Sequence, residues 1–283
     1  MKQRLDQFYT KPDIARKCVH KANSIIYKLI EEPPFYIEPS AGDGVFYDLL
    51  PHKNRIAFDI ESQHEEVIKC DFLHSSYKPP LHRKRVVVIG NPPFGLRGKL
   101  AVAFMKKAFA VADIVAFIVP VIFRKYFIHK QLPKGVRWID SLELPHHAFR
   151  TFTHANYNVH TEFQIWTRLM SFHKDRRLFS PPPITHKDFL LYQYNNTKKA
   201  LKVFRNAFDF AVPCQGYQDY TRREMSAEKC EKNKQWILFK ASTKKVLYRL
   251  WNMDFQALST KHITMTPGFR KGDVVNEYVH NYI

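Results

Sequence analysis

The sequence lacks the features that mark several large classes of protein. No apolar run approaches the roughly 20 residues that a transmembrane helix needs, and the opening segment MKQRLDQFYTKPD has no apolar signal core. The four cysteines, Cys18, Cys70, Cys214 and Cys230, form no CxxC pair, which argues against a zinc knuckle and against a disulfide framework. We therefore expect a soluble, intracellular protein with reduced thiols, without a metal site and without a membrane partner.

Acidic residues are also scarce, and this leaves a large basic excess. The 283 residues contain 26 Asp and Glu against 45 Lys and Arg, a formal net charge of +19. Apolar residues make up 45% of the chain and aromatic residues 14%, which supports a packed core rather than a disordered basic tail. A basic surface with many rings suits nucleic acid, because cations neutralise phosphates and rings stack on bases. Solubility alone is the competing explanation of the charge.

The first two thirds of the chain alternate between predicted strands and helices. Pro12 suits the first turn of a helix with Thr10 as a nearby cap candidate, and a second helix is predicted over about residues 99–112. The predicted strands are residues 35–37, 55–59, 67–69, 85–90 and 114–119, with 138–144 and 159–166 as a closing pair. This alternation predicts an α/β fold with an open, doubly wound and mostly parallel sheet of seven strands.

After about Arg168 the sequence changes character. A charged stretch, residues 173–177, precedes Pro181–Pro183, and no clear alternation of strands and helices follows. We predict two domains, residues 1–170 and 171–283, the second a smaller α+β region. No internal repeat is present.

Three loops of the predicted sheet have residues suited to a nucleoside ligand. The loop EPSAGDG (Glu38–Gly44) follows the first strand, and its glycines allow a tight turn before a helix whose free amides face the ligand. Asp59 ends the second strand, where an acid can accept the hydroxyls of a ribose. Asp71 and Phe72 follow the third strand and offer an acceptor and a ring for adenine. Taken singly, each acid is more typical of a loop cap or a solvated charge.

The most specific motif is Asn91-Pro92-Pro93-Phe94, directly after the buried strand VVVIG. The two prolines fix an extended backbone that presents its carbonyls. The Asn91 side-chain oxygen and the Pro92 carbonyl can accept the hydrogens of a planar exocyclic amine, and Phe94 can stack on the ring that bears it. This arrangement favours transfer of a group to such an amine, with no metal or strong base.

With these motifs in this order, the chain resembles the S-adenosylmethionine-dependent amino-methyltransferases. QFYTKP, EPSAGDG, FDI, CDF and NPPF match best the adenine-N6 DNA methyltransferases whose cofactor motifs come first and whose target-recognition region comes last. The resemblance covers roughly residues 5–168 and implies a Rossmann-like class I methyltransferase sheet. NPPF alone also occurs in enzymes that methylate adenine N6 or guanine N2 of RNA, and a near variant occurs in glutamine methyltransferases.

The resemblance also implies roles for individual residues. It implies that one set binds S-adenosylmethionine: Phe8, Tyr9, Thr10, Glu38, Pro39, Ser40, Ala41, Gly42, Asp59, Ile60, Asp71, Phe72 and Asn91. It implies that Asn91, Pro92, Pro93 and Phe94 hold the target base, which such enzymes flip out of a duplex or take from a single strand. The catalytic contribution is then mainly positioning.

Basic and aromatic segments outside these motifs suggest where nucleic acid binds. Candidates are Arg124 and Lys125 after the fifth strand, Arg222 and Arg223 in YQDYTRR, and Arg270 and Lys271 in TPGFRK. His146, His147, His154 and His160 have no carboxylate or cysteine at supporting spacing, so we interpret them as surface or substrate-loop residues rather than metal ligands.

The sequence therefore predicts an enzyme that methylates adenine N6, with DNA favoured as substrate. RNA methylation on adenine N6 or guanine N2 is the alternative within this chemistry. A catalytically inactive methyltransferase fold that serves as a nucleic-acid-binding scaffold is the alternative from another class, and the intact cofactor loop and NPPF motif argue against it.

Overall fold

A computed structural model describes residues 8–80, 85–150, 160–170, 174–195, 208–261 and 266–283. The chain divides into two compact units, residues 1–179 and 180–283, each with its own hydrophobic core. The domain boundary that the sequence suggests, after residue 170, stays a prediction. The predicted start of the last strand at Val159 lies outside the described residues. No helix in the described ranges is long and apolar enough to cross a membrane.

The first unit contains nine strands and three α-helices among its described residues. The strands are β1 (Tyr9–Thr10), β2 (Phe35–Glu38), β3 (Arg55–Asp59), β4 (Ile68–Lys69), β5 (Val86–Gly90), β6 (Ile114–Pro120), β7 (Arg137–Glu143), β8 (Phe149–Arg150) and β9 (Thr161–Thr167). The helices are α1 (Pro12–Leu29), α2 (Lys99–Val111) and the short α3 (Tyr126–His129).

Seven of these strands form one sheet in the order β4-β3-β2-β5-β6-β9-β7. The neighbouring strands β4, β3, β2, β5 and β6 are parallel to one another. Strand β9 pairs antiparallel with both β6 and β7. The apolar runs that predicted the central strands are buried throughout β5 and β6, as expected where helices cover both faces of a parallel sheet. This strand order is that of the Rossmann-like class I methyltransferase sheet, and the predicted fold class is confirmed.

Helix α1 begins where the sequence predicts but is capped differently. Pro12 occupies the first turn, where its missing N–H costs nothing. The N-cap is Lys11, whose side chain makes no capping hydrogen bond, and Thr10 lies in β1. The apolar face of the helix packs on the sheet through Ile14, Ala15, Cys18, Val19, Ala22 and Ile26.

The loop after β2 differs from the prediction. Instead of an α-helix, a turn and a three-residue 3₁₀ helix (Tyr47–Leu49) follow Gly44. The expectation of a helix N-terminus with free amides is therefore wrong at this position. The loop is held by backbone hydrogen bonds instead, from Ala41 N to the carbonyl of Phe58 (3.0 Å) and from Gly44 N to the carbonyl of Ala41 (2.8 Å).

Among its described residues, the second unit combines a small sheet with three α-helices. Strands β10 (Phe189–Tyr194), β11 (Phe210–Pro213) and β12 (Trp236–Ala241) form an antiparallel sheet in the order β10-β12-β11. Helices α4 (Lys244–Trp251), α5 (Phe255–Thr260) and α6 (Lys271–Tyr282) follow in sequence. Side chains of both layers build one core, so the predicted α+β character of this region is observed.

Candidate active site

A cavity of about 360 Å³ lies where the parallel strands of the first unit end. Its walls come from β1 and from the segments after β2, β3, β4 and β5, the edge at which open α/β sheets bind ligands. Every residue predicted to contact the cofactor or the target base lines it: Phe8, Tyr9, Thr10, Glu38, Pro39, Ser40, Ala41, Gly42, Asp59, Ile60, Asp71, Phe72, Asn91, Pro92, Pro93 and Phe94. Their individual roles stay predictions.

The charge of the cavity is opposite to that of the chain. Five carboxyl side chains line it, those of Glu38, Asp43, Asp59, Glu61 and Asp71. No lysine or arginine is among the described residues that line it. In a protein with a formal charge of +19, this wall suits a cationic ligand and disfavours a polyphosphate.

Glu38 is the most deeply buried of these acids, with 1% of its surface exposed. Burial, with the neighbouring charges of Asp43, Asp59 and Asp48, raises its pKa well above the ordinary value. Gly90, the last residue of β5, has φ of +150°, and a Cβ there would lie 3.2 Å from Cγ of Glu38. Oε2 of Glu38 has no hydrogen-bond partner among the described residues. A buried acceptor without a donor is costly, so this carboxyl is suited to a cation or donor of the ligand.

Asp59 joins the end of β3 to the loop after β2. Its Oδ2 accepts a hydrogen bond from Gly42 N at 2.8 Å, and its Oδ1 accepts one from Glu61 N at 2.8 Å. These bonds fix the carboxylate, while each oxygen keeps a lone pair for a further donor. Asp59 can therefore hold the loop and still accept hydroxyl groups of a ligand.

Tyr9 packs against the same loop. A Cβ on Gly42, where φ is +56°, would lie 3.1 Å from Cε1 of Tyr9, so glycine is required for this close approach. The tyrosine hydroxyl accepts a hydrogen bond from Nε2 of Gln63 at 3.3 Å. Burial, and the charges of Asp59 and Asp43, raise the pKa of Tyr9. The phenol therefore stays neutral at physiological pH.

The adenine-binding prediction concerns Asp71 and Phe72. Asp71 Oδ1 accepts from Leu73 N at 2.9 Å, and Oδ2 lies 2.7 Å from Nδ1 of His74. Burial opposes ionisation of Asp71, but the hydrogen bonds from His74 and Leu73 lower its pKa. Phe72 is buried and packs on the ring of Phe104, with centroids 6.1 Å apart. The structure thus brings a charged acceptor and an apolar wall to the same side of the cavity.

Asn91 has one end of its side-chain amide engaged and the other end open. Nδ2 donates to the carbonyl of Phe8 at 2.9 Å. The backbone carbonyl of Asn91 accepts from Oγ of Ser40 at 3.3 Å. Oδ1 is buried and has no partner among the described residues. Since the nitrogen of the amide is held by an acceptor, the oxygen is left as an acceptor for a ligand.

The rest of the motif surrounds this acceptor. Pro92 is buried, and no described residue donates a hydrogen bond to its carbonyl. Phe94 is 8% exposed and belongs to a cluster of three rings. Phe8 stacks on Phe94 with centroids 6.3 Å apart, and Phe149 meets Phe94 edge-on at 6.4 Å. The wall near Asn91 is therefore aromatic, as binding of a planar ring requires.

Two short strands bring distant parts of the chain over the cavity. β1 pairs antiparallel with β8, with Tyr9 opposite Arg150 and Thr10 opposite Phe149. Arg150 also forms an ion pair with Asp43, in the loop after β2, at 2.6 Å. Phe149 and Arg150 are not among the individual residues predicted for the site, because a two-residue strand has no periodicity that would show its pairing. Asp43 lies within the predicted loop and was identifiable by its position alone.

Arg124, one of the predicted nucleic-acid-binding residues, forms an intramolecular ion pair. It lies 2.9 Å from Glu162, which is completely buried, and 3.9 Å from Glu143. The neighbouring Lys125 is half-buried. The pairing gives Arg124 a structural role, and its contact with nucleic acid stays a prediction.

Arg222 and Arg223 are also engaged within the chain. Arg222 pairs with Glu224 at 2.7 Å and with Glu231 at 3.0 Å. Arg223 lies over the ring of Phe255 and donates to five backbone carbonyls, those of Tyr220, Thr221, Arg222, Trp251 and Met253. Arg223 thereby ties the segment before β12 to the end of α4, and the contact of both arginines with nucleic acid stays a prediction.

The last predicted pair is more accessible. Arg270 is exposed, and its backbone N donates to Asp273 at 2.9 Å at the start of α6. Lys271 is half-buried and donates to the carbonyl of Leu191 at 3.2 Å. Among the six basic residues predicted to bind nucleic acid, Arg270 is thus the one that is exposed.

Two of the four histidines that the sequence analysis considered as metal ligands lie in contact with each other. The rings of His146 and His160 meet edge-on with centroids 4.0 Å apart, whereas His154 lies outside the described residues. Within the described ranges, no group of three or more His, Cys, Asp or Glu is placed to hold a metal ion.

No protein-family model and no curated protein matches the chain. Several solved structures resemble it at low sequence identity. A candidate RNA methyltransferase from Pyrococcus horikoshii is 21% identical over 59% of this chain and 88% of its own, with a TM-score of 0.43. The 23S rRNA methyltransferase ErmE is 14% identical over 56% of this chain and 69% of its own, with a TM-score of 0.39.

A third similar structure is a chain of the E. cuniculi Mtq2–Trm112 complex, responsible for methylation of the translation termination factor eRF1. It is 14% identical over 53% of this chain and 94% of its own, with a TM-score of 0.36. The fold class itself follows from the order and direction of the seven strands, in which β9 is inserted antiparallel between β6 and β7.

Proposed function

We propose that this protein is an S-adenosylmethionine-dependent methyltransferase that modifies the N6 amino group of adenine in nucleic acid. The observation that carries the proposal is the open Oδ1 of Asn91. This oriented, buried acceptor lies on an aromatic wall of a cavity whose lining includes five carboxyl side chains and, among the described residues, no lysine or arginine. It suits the donor hydrogens of a planar amine held beside a cationic ligand.

The charge of the cavity supports S-adenosylmethionine over other nucleoside cofactors. Nicotinamide and adenine nucleotides carry phosphates, which would face Glu38, Asp43 and Asp59 without a lysine or arginine among the described lining residues. S-adenosylmethionine has a sulfonium and an ammonium group instead. Its positive charges would satisfy the buried Oε2 of Glu38, which has no donor from the described part of the chain. The residues present therefore fit this cofactor.

Each wall of the cavity has a role in this proposal. Glu38 and Tyr9 hold the methionine end, Asp59 accepts from the ribose, and Asp71 with Phe72 accommodates the adenine. Bound S-adenosylmethionine supplies a methyl group made electrophilic by the adjacent sulfonium. The protein has to hold the acceptor nitrogen in line with that methyl group, which is catalysis by positioning.

Asn91 and Pro92 prepare the amine. The lone pair of an exocyclic amine is delocalised into its ring, so the nitrogen is a poor nucleophile. Acceptance of its two hydrogens by Asn91 Oδ1 and the Pro92 carbonyl favours a pyramidal nitrogen whose lone pair is available. The nitrogen would then bond to the methyl carbon as the carbon–sulfur bond breaks, which leaves a neutral thioether, and would release one proton to water. Phe94 and its aromatic neighbours hold the ring.

The basic surface supports nucleic acid as the carrier of the amine. A formal charge of +19 has no evident use with a free nucleoside or with a glutamine side chain of a protein. Short recognition sites suit the size of the second unit, residues 180–283. DNA is the substrate that the motif order favours, and RNA is the alternative.

Methyl transfer to pools of DNA and RNA tests the proposal, with the product nucleoside identified by mass spectrometry. We expect N6-methyladenine, in DNA first. Detection of N6-methyladenine or N2-methylguanine in RNA alone would show that RNA is the substrate, while methyl transfer to an exocyclic amine would stay as proposed. Cofactor binding without transfer to either pool would indicate a protein substrate. Failure to bind the cofactor would contradict the proposal and favour a scaffold.

A further inference from the structure

The loop Gly95–Lys99, directly after Phe94, carries an exposed apolar side chain, Leu96, that is followed by two cations, Arg97 and Lys99. Leu96 is 78% exposed, the highest value among the large apolar side chains of the first unit's described residues. Arg97 and Lys99 are exposed as well. Within the described part of the chain, neither cation has an ion-pair partner. An exposed leucine followed by two cations without ion-pair partners among the described residues is not explained by packing within this unit.

The backbone of this loop is strained. Arg97 has φ of +55° and is the single non-glycine residue with positive φ among those described. Gly95 and Gly98 on either side have φ of +64° and +74°. A side chain at positive φ costs free energy, and such residues cluster at functional sites. The strained residue Arg97 therefore lies in a loop that directly follows Phe94 of the candidate active site.

The base of the loop is held firmly. The carbonyl of Phe94 accepts from Leu100 N at 3.1 Å and from Ala101 N at 3.2 Å, at the start of α2. Gly98 is buried, and a Cβ there would meet the side chains of Ile122 and Phe123 at 3.4 Å. Because Phe94 and Leu100 both line the cavity, the loop is a short, fixed projection beside it.

We infer that this loop opens the nucleic acid at the target base. The inference rests on the proposed function and adds a new role to its site. An amino group inside a helix is out of reach, so the target must leave the stack. Apolar side chains such as leucine can occupy or widen a base step. Leu96 takes the stacking position that the target vacates, and Arg97 and Lys99 contact the flanking phosphates.

Leu96→Ala tests the stacking role, and Leu190→Ala is its matched control. Leu190 is 54% exposed and lies in the second unit. The assay uses duplexes, of the nucleic acid that the unaltered protein methylates, with the target adenine either paired or opposite an abasic site. We expect Leu96→Ala to lower kcat/KM about tenfold or more on the paired duplex, since unstacking costs a few kcal/mol per step. We expect kcat/KM on the abasic duplex and the affinity for S-adenosylmethionine to be nearly unchanged in this variant.

A fluorescence measurement distinguishes a loss of base opening from general damage to the protein. With 2-aminopurine in place of the target adenine, the unaltered protein and Leu190→Ala should raise the fluorescence of the paired duplex on binding, and Leu96→Ala should not. For the cations, Arg97→Gln with Lys99→Gln should reduce the slope of log affinity against log salt by about 1 to 2.

Three outcomes would overturn the inference. Equal losses on paired and abasic duplexes would show a merely structural role for Leu96. Unchanged activity and fluorescence in Leu96→Ala would show that the loop does not touch nucleic acid and is free for a protein partner. If the unaltered protein methylates neither DNA nor RNA, the proposed function fails and the inference with it, whereas the first two outcomes leave the proposed function intact.

Discussion

The side-chain amide of Asn91 donates to the backbone carbonyl of Phe8 across 2.9 Å, although 83 positions separate the two residues in the chain. This hydrogen bond fixes which end of the amide is nitrogen. Oδ1 is consequently the end without a partner, as binding of an amine donor requires. Phe8, the residue directly before β1, thus contributes to the candidate chemistry through its main-chain oxygen as well as through its ring.

Replacement of Asn91 by aspartate tests this orientation. A charged carboxylate cannot donate to the Phe8 carbonyl and would be repelled by it, whereas a protonated carboxyl donates through one oxygen and accepts through the other. We expect Asn91→Asp to be about 10- to 100-fold slower than the unaltered enzyme at pH 8, the loss of one or two hydrogen-bond contributions of 1–2 kcal/mol. Its kcat should recover partly as the pH falls and the carboxyl is protonated.

The pH–rate profile of kcat makes this measurement, and the unaltered enzyme is the reference. A variant profile that runs parallel to the reference at all pH values would show that the Phe8 contact does not orient residue 91.

Glu38→Gln tests the electrostatic basis of cofactor binding. Removal of the buried negative charge should weaken S-adenosylmethionine binding by about 10- to 100-fold, because hydrogen bonds to charged groups contribute about 1.5–3 kcal/mol. Isothermal titration calorimetry in buffers of different ionisation enthalpy also measures how many protons are released on binding. Since the pKa of Glu38 is raised in the free protein, a bound cation should lower it, and a series of titrations at increasing pH from about 4.5 should show a window of proton release that the Gln variant lacks. Equal affinity and equal proton release would refute this role.

The same carboxyl makes the ligand-free protein sensitive to pH. The folded state raises the pKa of Glu38 above its ordinary value of 4.5, so between these two values the folded state holds a proton that the unfolded state has lost. Stability therefore falls as the pH rises through this window. Chemical denaturation at several pH values should show Glu38→Gln gaining stability relative to the unaltered protein as the pH increases above about 4.5. A difference that stays constant, or that reverses sign, would contradict the assignment.

Arg97→Gly is predicted to separate stability from activity. Glycine adopts positive φ without the cost of about 1–2 kcal/mol that an L side chain bears, but it loses about 0.4–1 kcal/mol through the entropy of the unfolded chain. We expect the free energy of unfolding to stay unchanged or to rise by about 1 kcal/mol, while methyl transfer to a paired duplex decreases. Thermal denaturation and the duplex assay together test this, and Arg97→Ala, which keeps the strain, is the control.

Arg223 and Arg270 are predicted to behave oppositely. Arg223→Ala removes the donor of five carbonyls in the second unit and should destabilise it by about 3 kcal/mol or more. Arg270→Ala removes an exposed cation and should weaken nucleic-acid binding with a stability change within about 0.5 kcal/mol. Denaturation curves and binding titrations of both variants check this contrast. Unaltered stability in Arg223→Ala would show that its contacts are dispensable.

Much of the first unit was predictable from local sequence. Buried apolar runs such as β5 and β6 stand out because both faces of a central parallel strand exclude polar residues. The residues at the ends of these strands converge by the geometry of the fold, so the cavity wall of Glu38, Asp59 and Asn91 was predictable as a group. Strand edges shifted by a residue or two, for instance at β4, which includes Ile68 and Lys69 but not Val67.

The remaining features depend on contacts between distant residues. The pairing of Tyr9 with Arg150 and the bond from Asn91 to Phe8 join segments that no periodicity connects. The expected helix after Gly44 does not form, because backbone hydrogen bonds within the loop replace it. The structural roles of Arg222 and Arg223 were hidden as well, since their carboxylate and carbonyl partners come together only in the folded unit.

The most direct test of the central claim is methyl transfer from labelled S-adenosylmethionine to DNA and RNA by the unaltered protein and by Asn91→Ala. Cofactor affinity is measured on both, and the product nucleoside is identified by mass spectrometry. We expect N6-methyladenine, with kcat at least about 100-fold lower in the variant, the usual cost of removing one oriented polar contact at a transition state. Equal rates of N6-methyladenine formation by the two proteins, or no transfer by the unaltered protein despite cofactor binding, would contradict it.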